Sequence, residues 1–194
     1  MSNTKLSHGR SIVCALAALA LTLGACARPH APAPKPPEEV DAEVLSAREW
    51  MNESGARVAI MDYRGTPFVI TGVETSCTSA CPTTVEKVRG VDKTLRAHGV
   101  AANVILVSLD PSHDTPEELA RFKAARHLPQ HWHLLAGNDA ETHAFAKYLD
   151  MSDVKARTDG EHDVRIALFD AGGRQTHTFH GWEFDTAEAI DAPH

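Results

Sequence analysis

The chain reads as an α/β domain in which helices flank a central, mostly parallel sheet that ends in a C-terminal antiparallel hairpin. Three stretches predict this. Residues 103–109 (NVILVSL) are nearly all apolar, which suits a strand covered on both faces. Thr115-Pro116-Glu117-Glu118 has the signature of a helix start, with a Thr cap, Pro at the first position and Glu at the third. Residues 164–169 and 174–179 flank Asp170-Ala171-Gly172-Gly173, a hairpin turn between two strand-like runs.

The remaining elements follow in order. Glu53-Ser54-Gly55-Ala56 marks a turn between Trp50 and Val58, and Arg64-Gly65-Thr66-Pro67 marks another, so the domain opens with a hairpin-like region. Residues 67–73 (PFVITGV) form a short strand of buried type. Residues 82–98 predict a helix, since Val85, Val88, Val91 and Leu95 recur at helical spacing and Gly99 stands where a stop belongs. The helix opened by Thr115 runs to about Arg126, with Leu119 and Phe122 on its apolar face. Residues 132–135 are a strand and residues 140–149 a helix. Strand, two-cysteine loop, helix, strand, helix and hairpin is the order of a thioredoxin-like domain.

The N-terminus is a separate matter. Lys5 and Arg10 precede a 13-residue apolar run, residues 11–23 (SIVCALAALALTL). A spanning helix needs about 20 apolar residues, so residues 1–25 read as an export signal. The run ends in Leu23-Gly24-Ala25-Cys26, which resembles the lipobox of bacterial lipoproteins, in which the cysteine is lipidated and becomes the first mature residue. Residues 26–40 then form a tether, since residues 27–37 hold five of the 11 prolines and no large apolar residue. Residues 41–194 are the folded domain.

Charge excludes one broad class. The whole chain has 19 basic and 26 acidic residues, and losing residues 1–25 removes two bases and no acid, which leaves −9. With no basic run, binding to nucleic acid through phosphate neutralisation is not expected. Of the 4 cysteines, Cys14 leaves with the signal and Cys26 carries the lipid, so Cys77 and Cys81 are the whole thiol inventory of the exported protein.

These two thiols sit in Thr75-Ser76-Cys77-Thr78-Ser79-Ala80-Cys81-Pro82, between a strand and a helix. A cysteine at a helix start gains thiolate character from the positive end of the dipole. Sulfurs three residues apart can close a disulfide or hold one soft metal ion. The redox motif usual in this fold has two intervening residues, and three favours the metal. Two thiolates suit Cu(I), and one added imidazole gives a site that suits Cu(II) as well. His162 is the best-placed histidine, because it follows a polar loop and immediately precedes the strand at residues 164–169.

Four stretches carry a family resemblance: Thr-Ser-Cys77-x-x-x-Cys81-Pro, Asp110-Pro-Ser-His-Asp114-Thr-Pro, Trp132-His-Leu-Leu-Ala-Gly137, and His162 ahead of a strand that leads into Phe169-Asp-Ala-Gly-Gly-Arg174. In these, over roughly residues 50–182, the sequence resembles the Sco/SenC family. The resemblance implies a thioredoxin-like fold and a periplasm-facing lipoprotein of the bacterial envelope, with the inner membrane favoured. It further implies a copper ion held by Cys77, Cys81 and His162 for delivery to the binuclear copper centre of cytochrome c oxidase. The implied partners are the copper-bearing oxidase subunit, other periplasmic copper chaperones or thiol reductases, and the membrane through the lipid on Cys26.

Asp110 and Asp114 come with the resemblance as supporting residues rather than ligands. Asp114 is expected to complete the helix start, and Asp110 to end a buried strand near the site. Three departures stand out: Asp163 follows the histidine where Ser is common, Gly72-Val73-Glu74 replaces an aromatic approach to the cysteines, and the C-terminal helix is short. The pairs His131/His133 and His177/His180 are each expected on a solvated surface, His131 and His133 sharing one strand face. Lys87, Arg89, Lys93 and Arg96 are expected on the solvated face of the first helix.

The runner-up function is a thiol-disulfide oxidoreductase in which Cys77 attacks and Cys81 resolves. A peroxidase on the same fold would use a lone activated cysteine, and the paired spacing speaks against it.

Overall fold

The computed structural model describes residues 44–47, 49–76, 80–151 and 164–194, except for the side chains of residues 80–82. The expected signal, tether and lipidation site Cys26, together with Cys77 and His162, lie outside the described residues.

The elements are β1 (Trp50–Asn52), β2 (Arg57–Val58), a 3-10 turn (Ile60–Tyr63), β3 (Phe68–Val73), α1 (Ala80–Ala97), β4 (Asn103–Ser108), α2 (Pro116–Ala125), β5 (Trp132–Ala136), α3 (Asp139–Tyr148), β6 (Arg165–Phe169), β7 (Gln175–His180) and α4 (Glu188–Asp191). The seven strands form one sheet in the order β2-β1-β5-β4-β3-β6-β7. Only the inner pairs β3/β4 and β4/β5 are parallel. The C-terminal hairpin supplies one antiparallel edge, as expected. The opening hairpin β1/β2 supplies a second, pairing antiparallel with β5, so the sheet is parallel only at its centre.

Alternation along the strands sorts the core onto both faces. Val69 of β3, Val104 and Leu106 of β4, and Ile166 and Leu168 of β6 pack with Val85, Val88, Val91 and Leu95 of α1 and with Leu119 and Phe122 of α2. Ile70, Ile105, Val107, Ala167 and Phe169 pack on the other face with Ile60 and with Phe145 of α3. Strands buried on both faces explain the continuous apolar runs.

The helix boundaries refine the sequence reading. Thr115 caps α2 by accepting from the Glu118 amide. The reciprocal arm is missing, since the Glu118 carboxylate pairs with Arg121 and the Thr115 amide donates to the His113 carbonyl instead. Asn138 and Glu141 form the complete reciprocal cap, at the start of α3. α1 begins at Ala80, so Cys81 is its second residue and Pro82 its third rather than its first. The proline is still tolerated there, because the first four amides of a helix have no carbonyl partner within it. Gly99 ends the helix at φ +82°.

Candidate functional site

Two distant segments meet at one end of the sheet. β3 stops at Val73, four residues before Cys77, and β6 starts at Arg165, three residues after His162. The antiparallel register pairs Thr71 with Ile166, and the Thr71 hydroxyl donates to the Arg165 carbonyl at 2.6 Å. The chain entering the cysteine loop and the chain leaving the histidine loop are therefore neighbours. Cys81 belongs to the same end, as the second residue of the helix that follows the loop.

Asp114 ties this end together. Its side chain is buried, and it accepts from the Ser108 hydroxyl at 2.7 Å and from the Thr75 amide at 3.3 Å. The Thr75 hydroxyl donates to its other oxygen. Asp114 therefore does not complete the start of α2, which Thr115 caps; it anchors the entry to the cysteine loop. Adjacency in sequence to Thr115 suggested the cap, whereas the carboxylate turns inward to serve donors that would otherwise be buried without a partner.

Asp110 lies two residues beyond Ser108, the last residue of β4, and its amide donates to the Ser108 hydroxyl at 3.0 Å. Ser108 thus bridges the two acids that the sequence singled out. The Asp110 carboxylate accepts from the Ser112 hydroxyl at 2.7 Å and lies 2.7 Å from His113 Nδ1. Partial burial opposes its ionisation, but the hydrogen bonds from Ser112 and His113 and the histidine charge outweigh it and hold the carboxyl below its usual range.

Thr75, Ser108 and His113 were not singled out from sequence. A signal existed for Ser108, the one hydroxyl inside an otherwise apolar strand. His113 stands three residues after Asp110, a spacing that one turn can close.

Several residues expected on solvated surfaces are pinned instead. His131 lies 2.8 Å from buried Asp92, which also accepts from Trp132 Nε1 at 3.0 Å and from Arg96 Nε at 2.9 Å. His133 stacks on Tyr63 at 4.4 Å, packed with the opposite core, so the two histidines do not share a face. Arg89 lies over the Trp132 ring and Lys87 over Phe184. His177 Nε2 lies 3.7 Å from Glu188 Oε2. Among the described residues no group of three or more His, Cys, Asp or Glu side chains forms a metal site, and no helix is long and apolar enough to cross a membrane.

Comparison with known proteins identifies the family and the fold. The family model described as SCO1/SenC matches residues 38–192. The SCO1 protein homolog of Bacillus subtilis (strain 168) is 27% identical over 117 residues, covering 59% of this chain and 60% of that relative, which is less than two thirds of its length. Among solved structures, Arabidopsis thaliana ScoI with copper bound aligns with TM-score 0.61 at 18% identity, over 73% of this chain and 90% of that one. BsSco, described as having a disulfide switch and as a member of the Sco family of cytochrome c oxidase assembly proteins, aligns with TM-score 0.61 at 24% identity, over 73% and 86%. A SCO1/SenC family lipoprotein from Bacillus anthracis str. Ames aligns with TM-score 0.62 at 23% identity, over 73% and 86%. At these identities the structures establish the shared thioredoxin-like fold.

Proposed function

This chain belongs to the SCO1/SenC family, and from that premise we propose that it is a copper metallochaperone of the bacterial envelope. In this reading the Cys77 and Cys81 thiolates and the His162 imidazole hold the ion and release it to the copper-bearing subunit of cytochrome c oxidase. Residues 1–25 direct export, and the lipid on Cys26 and the tether of residues 26–40 hold residues 41–194 at the periplasmic face of the inner membrane; the related lipoprotein supports the lipid anchor.

The observation that carries the reading is the pairing of Thr71 with Ile166. It brings the strand that leads into the cysteines beside the strand that follows His162, so three ligands scattered over 86 positions of sequence need only short loops to converge. Soft thiolates select copper, and one imidazole completes a three-coordinate set suited to both oxidation states. The helix start at Cys81 favours the thiolate form needed for ligation. Transfer is then ligand exchange, in which a partner's donors replace the thiolates one at a time. The copper-bound Arabidopsis relative supports the choice of cargo.

The test is the full chain, reduced and supplied with Cu(II). A thiolate-to-copper charge-transfer band is expected, and His162→Ala should abolish Cu(II) binding. Unchanged copper affinity in that variant would exclude the three-ligand site.

A second reading, a thiol-disulfide oxidoreductase, is favoured by the disulfide switch described for BsSco. Cys77 would attack a partner disulfide and Cys81 would resolve the mixed disulfide. That cycle does not need His162, so reductase turnover that survives His162→Ala, with no copper band in the wild-type chain, would select it. The two readings are compatible, because oxidation to the disulfide removes the thiolates and gates loading.

A further inference from the structure

We propose that His113 is an auxiliary copper ligand, a landing position from which the ion passes to and from the Cys77–Cys81 pair. The proposal rests on the copper reading above and adds a residue to it.

The imidazole is held for the task. Nδ1 lies 2.7 Å from Asp110 Oδ2 and 3.1 Å from the Ser112 hydroxyl, which itself donates to Asp110 Oδ1. A carboxylate accepts only, so Nδ1 carries a proton, and in the neutral ring Nε2 keeps its lone pair. Among the described residues nothing bonds Nε2, and the side chain is 73% exposed while Asp110 is 24% exposed. A carboxylate behind an imidazole fixes the tautomer and raises the basicity of the free nitrogen, the arrangement found behind metal-bound histidines. Ser112 is on the Nδ1 side of the ring, so the cluster is not a nucleophile activated by Nε2.

Its position is tied to Thr75, where the chain enters the cysteine loop. The Asp110 amide donates to Ser108, Ser108 donates to Asp114, and Asp114 accepts from Thr75, two residues before Cys77. One acid orients the imidazole and the other clamps the loop, with a single buried hydroxyl between them. An exposed imidazole can take Cu(II) from solution or a donor without first displacing anything, and in the copper reading the two thiolates draw the ion onward because they bind it more strongly.

Two measurements on the full chain decide the point. First, substoichiometric aqueous Cu(II) is added to the chain carrying Cys77→Ser and Cys81→Ser while the ring resonances of the histidines are followed by NMR. The His113 signals should broaden first; broadening no earlier than that of His177 or His180 overturns the proposal. Second, with the cysteines intact, His113→Ala and Asp110→Asn should slow growth of the charge-transfer band about tenfold and leave its final intensity unchanged. An unaltered rate overturns the proposal while the three-ligand reading stands. Lost final intensity in His113→Ala would make His113 part of the thiolate site and overturn the transit role. A wild-type chain that forms no band overturns the three-ligand reading and the transit role together.

Discussion

Thr75 and Asp114 are 39 residues apart in the chain, and the Asp114 carboxylate receives both the amide and the hydroxyl of Thr75. The acid also receives Ser108. Through this contact the end of β4 holds the entry to the cysteine loop, and two predictions concern that junction.

Asp114→Ala should leave the Ser108 hydroxyl and the Thr75 amide without acceptors. Each buried group that loses its partner costs about 1–3 kcal/mol, so a loss of about 3 kcal/mol in urea unfolding is expected. Thr75→Val removes one arm only and should cost about 1 kcal/mol. Both variants should also weaken copper binding in the reduced protein, Asp114→Ala more. Equal stability of Asp114→Ala and wild type would show that water replaces the acid and that the clamp contributes nothing.

Gly72, where an aromatic approach to the cysteines is replaced, has a steric explanation. A Cβ at Gly72 would lie 2.8 Å from Leu109 Cδ1, so the Leu109 side chain already occupies the space over this strand. Gly72→Ala should therefore destabilise by about 1–3 kcal/mol through overpacking. Combining it with Leu109→Ala should recover part of that cost, so the double variant is more stable than the summed single effects predict. Strict additivity in a double-mutant cycle would contradict the contact.

The elements with a local signal were legible from sequence. The Val85-Val88-Val91-Leu95 stripe announces α1, the apolar run announces β4, and the Thr115 cap stands where its residues put it. Pairings between distant segments were not legible. β1 and β2 are three and two residues long, and their place against β5 depends on a strand some 80 positions away. His131 looked solvated because nothing local binds it, whereas its partner Asp92 is on α1, 39 residues earlier. Asp114 was assigned to its neighbour in sequence and belongs to Thr75. The same limit applies to the candidate site: the motif named Cys77, Cys81 and His162, but the support from Ser108, Thr75 and His113 appears only once β3 and β4 lie side by side.

Asp92 is the one buried acid among the described residues of α1, and three side chains meet at it. Trp132 Nε1 at 3.0 Å, Arg96 Nε at 2.9 Å and His131 at 2.8 Å all converge on its carboxylate. Asp92→Ala strands the indole N–H inside the core and removes the partner of Arg96, which also holds the Ala102 carbonyl. A loss of about 3 kcal/mol is expected in denaturant unfolding, near the low end of what breaking a buried pair costs. His131→Ala leaves the Trp132 and Arg96 donors in place and should cost about 1 kcal/mol. Because this cluster holds the C-terminal half of α1, copper binding at the other end should survive in whatever fraction stays folded. Copper titration of the folded Asp92→Ala fraction checks this.

The pH dependence of stability should carry a contribution from His133. Burial against Tyr63 lowers its pKa below the ordinary 6.5; the nearby Glu53 charge pushes the other way, and Lys123 and His131 reinforce the lowering. A histidine whose folded pKa is depressed binds its proton more readily in the unfolded chain. Its contribution to stability is therefore whole above about pH 6.5 and is lost as the pH falls from there through the folded pKa. Tyr63, pushed up to about 12 first by burial and then by Glu53 and Asp62, acts at the other extreme: stability is lost as the pH rises above the ordinary phenol value of 10. The check is a series of thermal melts from about pH 7.5 down to about 5 on wild type and His133→Phe, which keeps a ring stacked on Tyr63 but cannot take the proton. The melting temperature of wild type should fall more steeply than that of the variant across this window, and His133→Gln should also flatten the slope if the proton, rather than the ring, is responsible. Parallel slopes for all three proteins would mean that His133 protonates equally well in the folded and unfolded chains, and that its burial against Tyr63 has no consequence for stability.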